Sequence, residues 1–551
     1  MYSTLKRKTF VGISFKPKAM QFVSANGVPC AQKELSSSGI YHSKNEQNKN
    51  LLLTILKTSP TKRDAKVYLQ RFAPLQIEPL PLLSASLRTP RPAEQDHFTF
   101  FHTNGGIDIA LLKICEFDIQ ENSVLTGISH SIVQLRHLGL ISIVIIEPSN
   151  SIYSNSSLNR MQRQNELSSL AEKVASAIEK QGGQTQTVTN GLYGMREDGS
   201  SFIENLAMLS GPLKRGQMPI ITTSSEISRK SAEERTNDLL YALTELYSEK
   251  SREKTMEKFL VNKIFILNQD GGIPSHERGG SSHVFINLQQ EFENIKTSLV
   301  EINTISSARH LKNLELVKKC LSLLPFTSSA IITTPKLATS NGHDSKTTPH
   351  PLIYNLLTDR PTFSSSLPIG AARTPKSTTS VIRHGVPIVK HLNLESSLRD
   401  SKIDLPRLLT LIEDSFARRL DLNHYKNRLE GKFASLIIAG DYEGCAITTY
   451  EKTNLGSKIP YLDKLAVLKS RQGSSCLADI LFRSLTDTYP NEIFWRSRVD
   501  NPANKWYFER CKFSWKLPGS KWCLFWTGKL DYPDHITEYT RIVEQIEPSL
   551  M

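Results

Sequence analysis

A candidate phosphate-binding loop lies between a strand-like run and a helix in the last third of the 551-residue chain. Residues 461–467 are β-rich, residues 471–475 are Arg-Gln-Gly-Ser-Ser, and a helical pattern with Leu477 and Ile480 on one side follows. A strand that runs through small residues into a helix directs unpaired backbone N–H groups and the positive end of the helix dipole at one point. Such a loop can hold a pyrophosphate, but it is also common as a plain connection, so the loop alone leaves both interpretations open.

Two antiparallel strands and a helix should position this loop. Residues 433–439 and 445–450 are β-rich, and Gly-Asp-Tyr-Glu-Gly at 440–444 is suited to a hairpin turn between them. Before the hairpin, Leu408 and Leu411 share the apolar face of a predicted helix. The mixture of strands and helices predicts an α/β domain over residues 381–551.

A separate α/β domain is predicted for residues 96–335, because apolar runs typical of buried strands alternate there with helical patterns. The strand candidates are residues 107–115, 141–146, 219–223, 264–267 and 330–334. Residues 336–380 are rich in Ser, Thr, Pro and Gly, which predicts a linker between the two domains.

The composition argues against a membrane or metal protein. Hydrophobic residues make up 39% of the chain, the mean hydropathy is -0.30, and no apolar run is long enough to cross a bilayer. The seven cysteines contain no C-x-x-C pair, which indicates neither a zinc site nor a disulfide framework. We therefore expect no membrane association and no metal.

The net charge of +14 could indicate a nucleic-acid partner, but part of it belongs to a leader sequence. The first 33 residues contain no Asp or Glu and the following basic residues: Lys6, Arg7, Lys8, Lys16, Lys18 and Lys33. This pattern predicts a mitochondrial transit peptide within residues 1–40, so we expect a mitochondrial matrix protein without a nucleic-acid partner. A helical segment and a proline-rich connection are predicted at 50–95.

Four linked motifs carry a family resemblance. They are Tyr-Leu-Asp-Lys at 461–464, Ser-Arg-Gln-Gly at 470–473, Phe-Trp-Arg-Ser-Arg at 494–498 and Asn-Pro-Ala-Asn-Lys-Trp-Tyr-Phe at 501–508. In order and spacing they resemble the N-acetylglutamate synthases of the fungal mitochondrial type. The resemblance implies a Gcn5-related N-acetyltransferase fold, acetyl-CoA as co-substrate, L-glutamate as acceptor and a role in the first step of arginine biosynthesis.

The resemblance also implies how the coenzyme would bind. Backbone groups of Leu465, Ala466 and Val467 would contact the pantetheine. The pyrophosphate would lie on a loop made of these residues: Gln472, Gly473, Ser474 and Ser475. The chain departs from the family at Ser475 and Cys476, where glycine is usual, and a requirement for positive φ there would weaken coenzyme binding.

Glutamate carries two carboxylates, which need cationic or amide donors. The resemblance implies Arg418, Lys464, Arg498 and Asn501 for this role, whereas the alternative for Lys464 and Arg498 is a solvated strand position. Tyr507 would protonate the departing thiolate. The general base stays open between Glu443, Asp463, His384 and water.

The domain at 96–335 resembles the amino-acid kinase fold of acetylglutamate kinase. Within it, His-Leu-Lys-Asn-Leu-Glu-Leu at 310–316 and the segment 323–335 closely resemble the fungal synthases. Kinases of this type have a Lys and paired glycines after the first strand, but here Lys113 is followed by Ile114 and Cys115, so phosphoryl transfer from ATP is not expected. The resemblance implies an arginine-sensing domain, a homo-oligomer and acetylglutamate kinase as a candidate partner.

Two alternatives remain open on the sequence. One is a protein or peptide N-acetyltransferase, which would have an open groove instead of an enclosed cationic pocket. The other is a noncatalytic arginine-sensing partner of acetylglutamate kinase, which the altered loop at Ser475 and Cys476 would suit. Acetyl transfer to free glutamate would exclude the second alternative, and the choice of acceptor would decide the first.

Overall fold

The computed structural model describes residues 107–154, 159–196, 201–223, 230–251, 258–339, 350–368, 376–392, 403–454, 456–472, 476–530, 533 and 535–550. The predicted transit peptide and the predicted segment at 50–95 lie outside these residues, as do Gly473, Ser474 and Ser475 of the loop. Among the described helices, none is long and apolar enough to cross a membrane.

The first part of the described chain is built on a mostly parallel sheet. The strands of this part are β1 (Ile107–Cys115), β2 (Ile141–Glu147), β3 (Thr185–Val188), β4 (Tyr193–Met195), β5 (Ser201–Ile203), β6 (Met218–Thr222), β7 (Phe259–Leu267), β8 (Phe285–Asn287), β9 (Ser329–Thr333) and β10 (Ser380–Arg383). Of these, β4 and β5 form a separate two-stranded ribbon, and the other eight form the sheet. The strand order of the eight-stranded sheet is β3-β6-β2-β1-β7-β9-β10-β8, with β10 antiparallel to β9.

Helices connect these strands and bury their faces. They are α1 (Asn122–His137), α2 (Asn150–Ser154), α3 (Arg160–Lys180), α4 (Ala207–Lys214), α5 (Ala232–Leu246), α6 (Leu288–Ile302), α7 (Ile305–Leu321) and α8 (Pro351–Thr358). Several begin with a capping box, as where Ser231 and Glu234 each accept the other's backbone N–H at the start of α5. Every residue of β7 is buried, which requires cover on both faces of the sheet. The α/β prediction for this part is confirmed.

The chain leaves the first sheet only after β10. The predicted domain boundary near Val381 falls inside this strand, which pairs with both β8 and β9, and the second sheet begins with the next strand. Within the predicted linker, α8 is packed with Leu352 and Leu357 buried. Gly271 and Gly272 lie against the backbone of residues 378–380 so closely that a Cβ on Gly272 would stand 2.6 Å from the Ser380 nitrogen. This close approach explains the paired glycines after β7.

A second sheet, mostly antiparallel, forms the last part of the chain. Its strands are β11 (Ile388–Leu392), β12 (Phe433–Ala439), β13 (Gly444–Lys452), β14 (Lys458–Val467), β15 (Glu492–Arg498), β16 (Phe513–Lys516) and β17 (Trp522–Gly528). The helices around it are α9 (Leu405–Phe416), α10 (Leu422–Leu429), α11 (Leu477–Thr488), α12 (Asn504–Arg510) and α13 (Ile536–Gln545). The strand order is β11-β12-β13-β14-β15-β17-β16.

Alternate residues of β12 show how this sheet is covered. Leu436 and Ile438 belong to one core cluster with residues of α9 and α10, whereas Ile437 and Ala439 belong to another with residues of α11. Successive side chains of a strand point to opposite faces, so helices lie on both sides of the sheet. The α/β prediction is therefore confirmed for this part as well.

The strands β14 and β15 separate soon after they meet. They pair in parallel at a single position, Tyr461 with Phe494, although both strands continue beyond it. On its other side β14 stays paired with β13, with a bulge at Asp463 where the register shifts between Ile447 and Thr448. A V-shaped opening therefore lies between the carboxyl ends of β14 and β15.

Candidate functional site

The backbone at the end of β14 is held from the side of α9. The Val467 N–H donates to Ser415 Oγ at 3.1 Å, and Gln472 Nε2 donates to the Val467 carbonyl oxygen at 2.9 Å. Leu465 and Ala466 are paired with β13 through Ala446 and Cys445. Contact between Val467 and a pantetheine would thus require exchange of hydrogen bonds that this backbone already makes.

Tyr507 lies beside the opening, on α12, in an aromatic environment. Its ring centroid is 5.5 Å from that of Trp495 and 5.4 Å from that of Phe525. The ring packs against the same core cluster that contains Val467 and is bordered by Leu465. Burial raises the pKa of Tyr507 to about 12, which keeps its hydroxyl protonated at neutral pH.

One of the predicted cationic residues, Arg498, binds a carboxylate two residues further along the chain. Arg498 donates from Nε and Nη2 to the two oxygens of Asp500, at 2.9 and 2.7 Å. These bonds lower the pKa of Asp500, and the positive charge of Arg418 contributes to the same shift. Arg418 is exposed and follows α9 directly, after Ala417 ends the helix in the left-handed conformation. The structure therefore places Arg498 at the carboxyl end of β15, bound to a group with the chemistry of a substrate carboxylate, and the charge of Arg418 acts on the same group.

Lys464 belongs to a different, buried charge cluster. Its Nζ lies 2.9 Å from Asp463 Oδ2 and 4.8 Å from the ring centroid of Tyr425, and the residue is 9% exposed. Arg428 approaches the same Asp463 at 3.5 Å and pairs with Glu451 at 2.6 Å. The solvated strand position considered for Lys464 is not what the structure shows. The bulge at Asp463 lets the consecutive side chains of Asp463 and Lys464 meet.

Asn501 stabilises the turn that leads into α12. Its Nδ2 donates to Ser497 Oγ at 2.7 Å, and its Oδ1 accepts from the Ala503 N–H at 3.0 Å. Both ends of the amide are thus used inside the protein, in a turn geometry that Asn favours. These contacts support a role in shaping the opening more directly than a role in binding an acceptor.

Two of the three residues considered as general base, Glu443 and Asp463, are held in ion pairs. Arg471 pairs with Glu443 at 2.6 Å. Burial would raise the pKa of Asp463, but the charges of Lys464 and Arg428 outweigh it and lower that pKa. His384 lies just after β10, and its carbonyl accepts from the Gln289 N–H at 3.2 Å. The ion pairs therefore argue against Glu443 and Asp463 as the base and leave His384 and water.

The helix that follows the candidate pyrophosphate loop begins at a strained residue. Cys476 precedes α11 with φ of 55° and ψ of 17°, and its side chain makes no capping hydrogen bond. The first N–H groups of α11 are not capped by this side chain, which suits an anion at this end of the helix. Arg471, just before the loop, also lies 4.5 Å from the ring centroid of Phe326 in the first sheet's domain.

We expect Cys476→Gly to stabilise the protein by up to about 1 kcal/mol, because only glycine adopts positive φ without a Cβ penalty. The gain should be visible as a higher urea midpoint, together with unchanged or tighter binding of acetyl-CoA. Cys476→Ala is the matched control, since it removes the thiol but keeps the Cβ. Equal behaviour of the two variants would contradict the strain at this position.

In the first domain, the lysine at the position of the kinase lysine is neutralised internally. Lys113 Nζ lies 2.7 Å from Glu147 Oε2 and 2.6 Å from Asn237 Oδ1, and the side chain is 6% exposed. Nearby, burial raises the pKa of Asp118 to about 6. Among the described residues, no group of His, Cys, Asp or Glu side chains is arranged to hold a metal ion.

Sequence reasoning missed the buried residues that support the opening. Asp479 in the first turn of α11 pairs with Arg510 at the end of α12, at 2.8 Å. Ser415 and Asp414 of α9 accept from the backbone N–H groups of Val467 and Lys469. These partners lie 31 to 55 positions apart in the chain, and no periodicity or short motif links them.

Known proteins resemble this chain along most of its length. Residues 392–548 match the family model described as NAT, N-acetyltransferase, of N-acetylglutamate synthase. The chain is 35% identical to the mitochondrial amino-acid acetyltransferase of Schizosaccharomyces pombe, with 90% of this chain and 98% of that protein covered. It is 34% identical to the protein of the same name in Yarrowia lipolytica, with 91% and 93% covered.

Among solved structures, the T. acidophilum isopentenyl phosphate kinase product complex is similar to about half of the chain. The identity is 14%, the match covers 50% of this chain and 100% of that one, and the TM-score is 0.29. A similarity of this size adds nothing to the assignment of residues.

Proposed function

This chain belongs to the mitochondrial amino-acid acetyltransferases, and we propose that it transfers the acetyl group of acetyl-CoA to the α-amino group of L-glutamate in the mitochondrial matrix. The product, N-acetyl-L-glutamate, would enter arginine biosynthesis at its first step. The observation that carries the proposal is the opening between β14 and β15, with Tyr507 packed on Trp495 of β15 and Arg498 at the carboxyl end of that strand.

We propose direct transfer in this opening. The glutamate nitrogen forms a bond to the thioester carbonyl carbon, and the carbon–sulfur bond breaks. The amine proton leaves to water, because Glu443 and Asp463 are held in ion pairs. Tyr507 donates its hydroxyl proton to the departing thiolate and is reprotonated from solvent. The high pKa of Tyr507 suits a group that must be protonated when the thiolate leaves.

Arg498 and Arg418 are the proposed hydrogen-bond donors to a glutamate carboxylate. The Asp500 carboxylate already occupies Arg498 in a bidentate arrangement, which supports a role of this guanidinium in binding a carboxylate. A substrate carboxylate would displace Asp500, which is exposed on the next turn. Lys464 would contribute its charge from the buried cluster with Asp463, and Asn501 would hold the turn beside the site.

We expect Arg498→Ala to raise the KM for glutamate by roughly tenfold or more, because a carboxylate loses a charge-assisted partner. The KM for acetyl-CoA should stay nearly constant in steady-state assays. Asp500→Asn is the control variant, because it removes the ion-pair partner of Arg498 but keeps the charge of Arg498. It should not raise the KM for glutamate. A parallel loss of acetyl-CoA binding in Arg498→Ala would indicate a structural role instead.

Feedback inhibition by arginine is proposed to arise in the first domain. That domain keeps a sheet whose strand β7 is buried throughout, yet its Lys113 is held by Glu147, which leaves a binding scaffold without a phosphoryl-transfer lysine. Phe326 of the first domain contacts Arg471, which lies just before the coenzyme loop. Through this contact, binding of free arginine to the first domain would alter the loop. We also propose a homo-oligomer, with acetylglutamate kinase as a candidate partner.

An acetyl-CoA assay over a panel of acceptors tests this function directly. Full-length protein should acetylate free glutamate far better than aspartate, glutamine or peptides with a free N-terminus, and arginine should reduce the rate. If the protein prefers a peptide, the acceptor is a protein or peptide and not free glutamate. Arginine binding without any acetyl transfer would favour the noncatalytic sensor.

A further inference from the structure

We propose that Asp479, Arg510 and the connection serine Ser366 are positioning residues for acetyl transfer, holding the coenzyme helix α11 and the Tyr507 helix α12 in one geometry. The inference rests on the proposed function, because it takes α11 as the helix that faces the coenzyme. None of the three residues touches the reacting atoms in the proposed reaction; each acts through the helix that it fixes.

Asp479 is the acceptor at the centre of this network. Its Oδ1 accepts from Arg510 Nη2 at 2.8 Å, from Ser366 Oγ at 2.7 Å and from Trp506 Nε1 at 3.2 Å. A carboxylate in the first turn of α11 would repel a pyrophosphate bound at that end of the helix. The charge of Arg510 offsets this repulsion, and the three donors fix the carboxylate on the side of α12.

Arg510 is bound on all sides within the described structure. Besides Asp479, its Nε donates to Ser366 Oγ at 2.6 Å, its Nη2 to Ser364 Oγ at 2.7 Å and its Nη1 to the Trp506 carbonyl oxygen at 2.8 Å. The guanidinium carbon lies 3.9 Å from the Trp506 ring centroid, and the side chain is 2% exposed. A buried charge with this many partners has one favourable arrangement, so the network is stiff.

Arg510 links this rigid network to Tyr507, the proposed acid, because both residues lie on α12. Tyr507 and Arg510 belong to the same short helix, which spans seven residues. Fixing the last residue of so short a helix against α11 also fixes the orientation of the tyrosine one turn earlier. A displacement of about 1 Å at a reacting group can lower a rate by roughly 10²-fold. A change in the network that shifts Tyr507 should therefore lower the rate of acetyl transfer.

The serines bring a third segment into the site. Ser364 and Ser366 lie 146 and 144 positions before Arg510, in the stretch that the sequence predicted to be a linker. Their neighbour Ser365 accepts at its carbonyl from Nη2 of Arg278, at 2.8 Å, and Arg278 lies in the loop between β7 and β8. The side chains of this serine segment thus support the acetyltransferase site while its backbone is held by the first domain.

The test uses the full-length chain with Ser366→Ala, which removes one hydroxyl from the network. We expect kcat to fall roughly tenfold and acetyl-CoA to bind several-fold more weakly, with the KM for glutamate nearly unchanged. Ser366→Thr keeps the hydroxyl and should recover most of the lost activity. Ser322→Ala, at an exposed serine after α7, is the matched control and should behave as the wild type.

A second variant tests the coupling between the charged partners. Asp479→Asn should lower kcat more than Ser366→Ala, and the double variant should lose less than the sum of both effects in free energy, because the residues act as one unit. Additive losses would overturn the network. So would a folded Ser366→Ala protein with wild-type kcat and acetyl-CoA affinity and only a lower melting temperature.

The inference can fail independently of the proposed function. Wild-type protein that binds acetyl-CoA but acetylates no amino acid would contradict the proposed reaction. The positioning role would then be decided by acetyl-CoA affinity, measured by calorimetry, which Ser366→Ala should weaken and Ser366→Thr should restore.

Discussion

Tyr507→Phe should lower kcat by roughly 10² to 10⁴-fold, while the KM for acetyl-CoA stays within about twofold of the wild-type value. The ring is retained, so its packing against Trp495 and Phe525 is preserved and only the proton donor is lost. Steady-state kinetics, with circular dichroism to confirm the fold, provide the measurement. A wild-type kcat in the phenylalanine variant would exclude Tyr507 as the acid.

The pH dependence supplies a second readout for the same residue. Because burial raises the pKa of Tyr507 to about 12, its hydroxyl is protonated throughout the range from pH 6 to 9. The acid form would be lost only as pH rises toward 12. Wild type and Tyr507→Phe should therefore show parallel pH–rate profiles between pH 6 and 9, displaced by a constant factor.

Asp359→Ala should lower the free energy of unfolding by about 3–5 kcal/mol, because it removes the ion-pair partner of a buried ammonium group. Lys263 lies in the middle of β7 with 0% exposure, and its Nζ is 2.7 Å from Asp359 Oδ1. Arg383 of β10 lies 3.6 Å from the same carboxylate oxygen, so one acidic residue serves two buried cations. Urea unfolding followed by fluorescence would measure the change.

Asp359→Asn is the matched control for this effect. It keeps the shape, an oxygen acceptor and tolerance of the left-handed backbone that Asp359 adopts at φ of 55°. Its cost should be clearly smaller than that of Asp359→Ala. Identical losses in both variants would show that the charge of Asp359 does not matter and that the alanine acts through packing alone.

Local patterns were sufficient to predict eight of the 17 described strands. The apolar run at 107–115 coincides with β1, and the glycine-rich turn at 440–444 separates β12 from β13 as expected. The run at 264–267 is only the second half of β7, which begins at Phe259. Asn262 and Lys263 interrupt the apolar pattern, and their burial depends on partners from β1 and from the end of α8. A sequence window cannot contain such partners.

The candidate site was predictable where a short motif carried it and not where distant segments meet. Tyr507 and Arg498 lie in motifs and fall beside the opening. Cys476 has a positive φ, and the sequence had raised this conformation as a concern because the chain lacks the usual glycine there. The burial of Lys464 depends on a bulge in β14, which no residue type signals. The serine segment at 364–366 looked like a flexible linker because Ser and Pro dominate it, although its hydroxyls are bound by Arg510.

The position of β10 has a consequence for how the protein is made. This strand lies between β9 and β8, so the first sheet lacks an inner strand until residues 380–383 have left the ribosome. Before that moment β8 has no neighbour in the sheet and β9 presents an open edge, which is the kind of surface that draws chains into aggregation. The first domain can therefore complete its sheet only when synthesis has reached the start of the second domain. A chaperone that covers the edge of β9 would have its greatest effect during synthesis of residues 334–383.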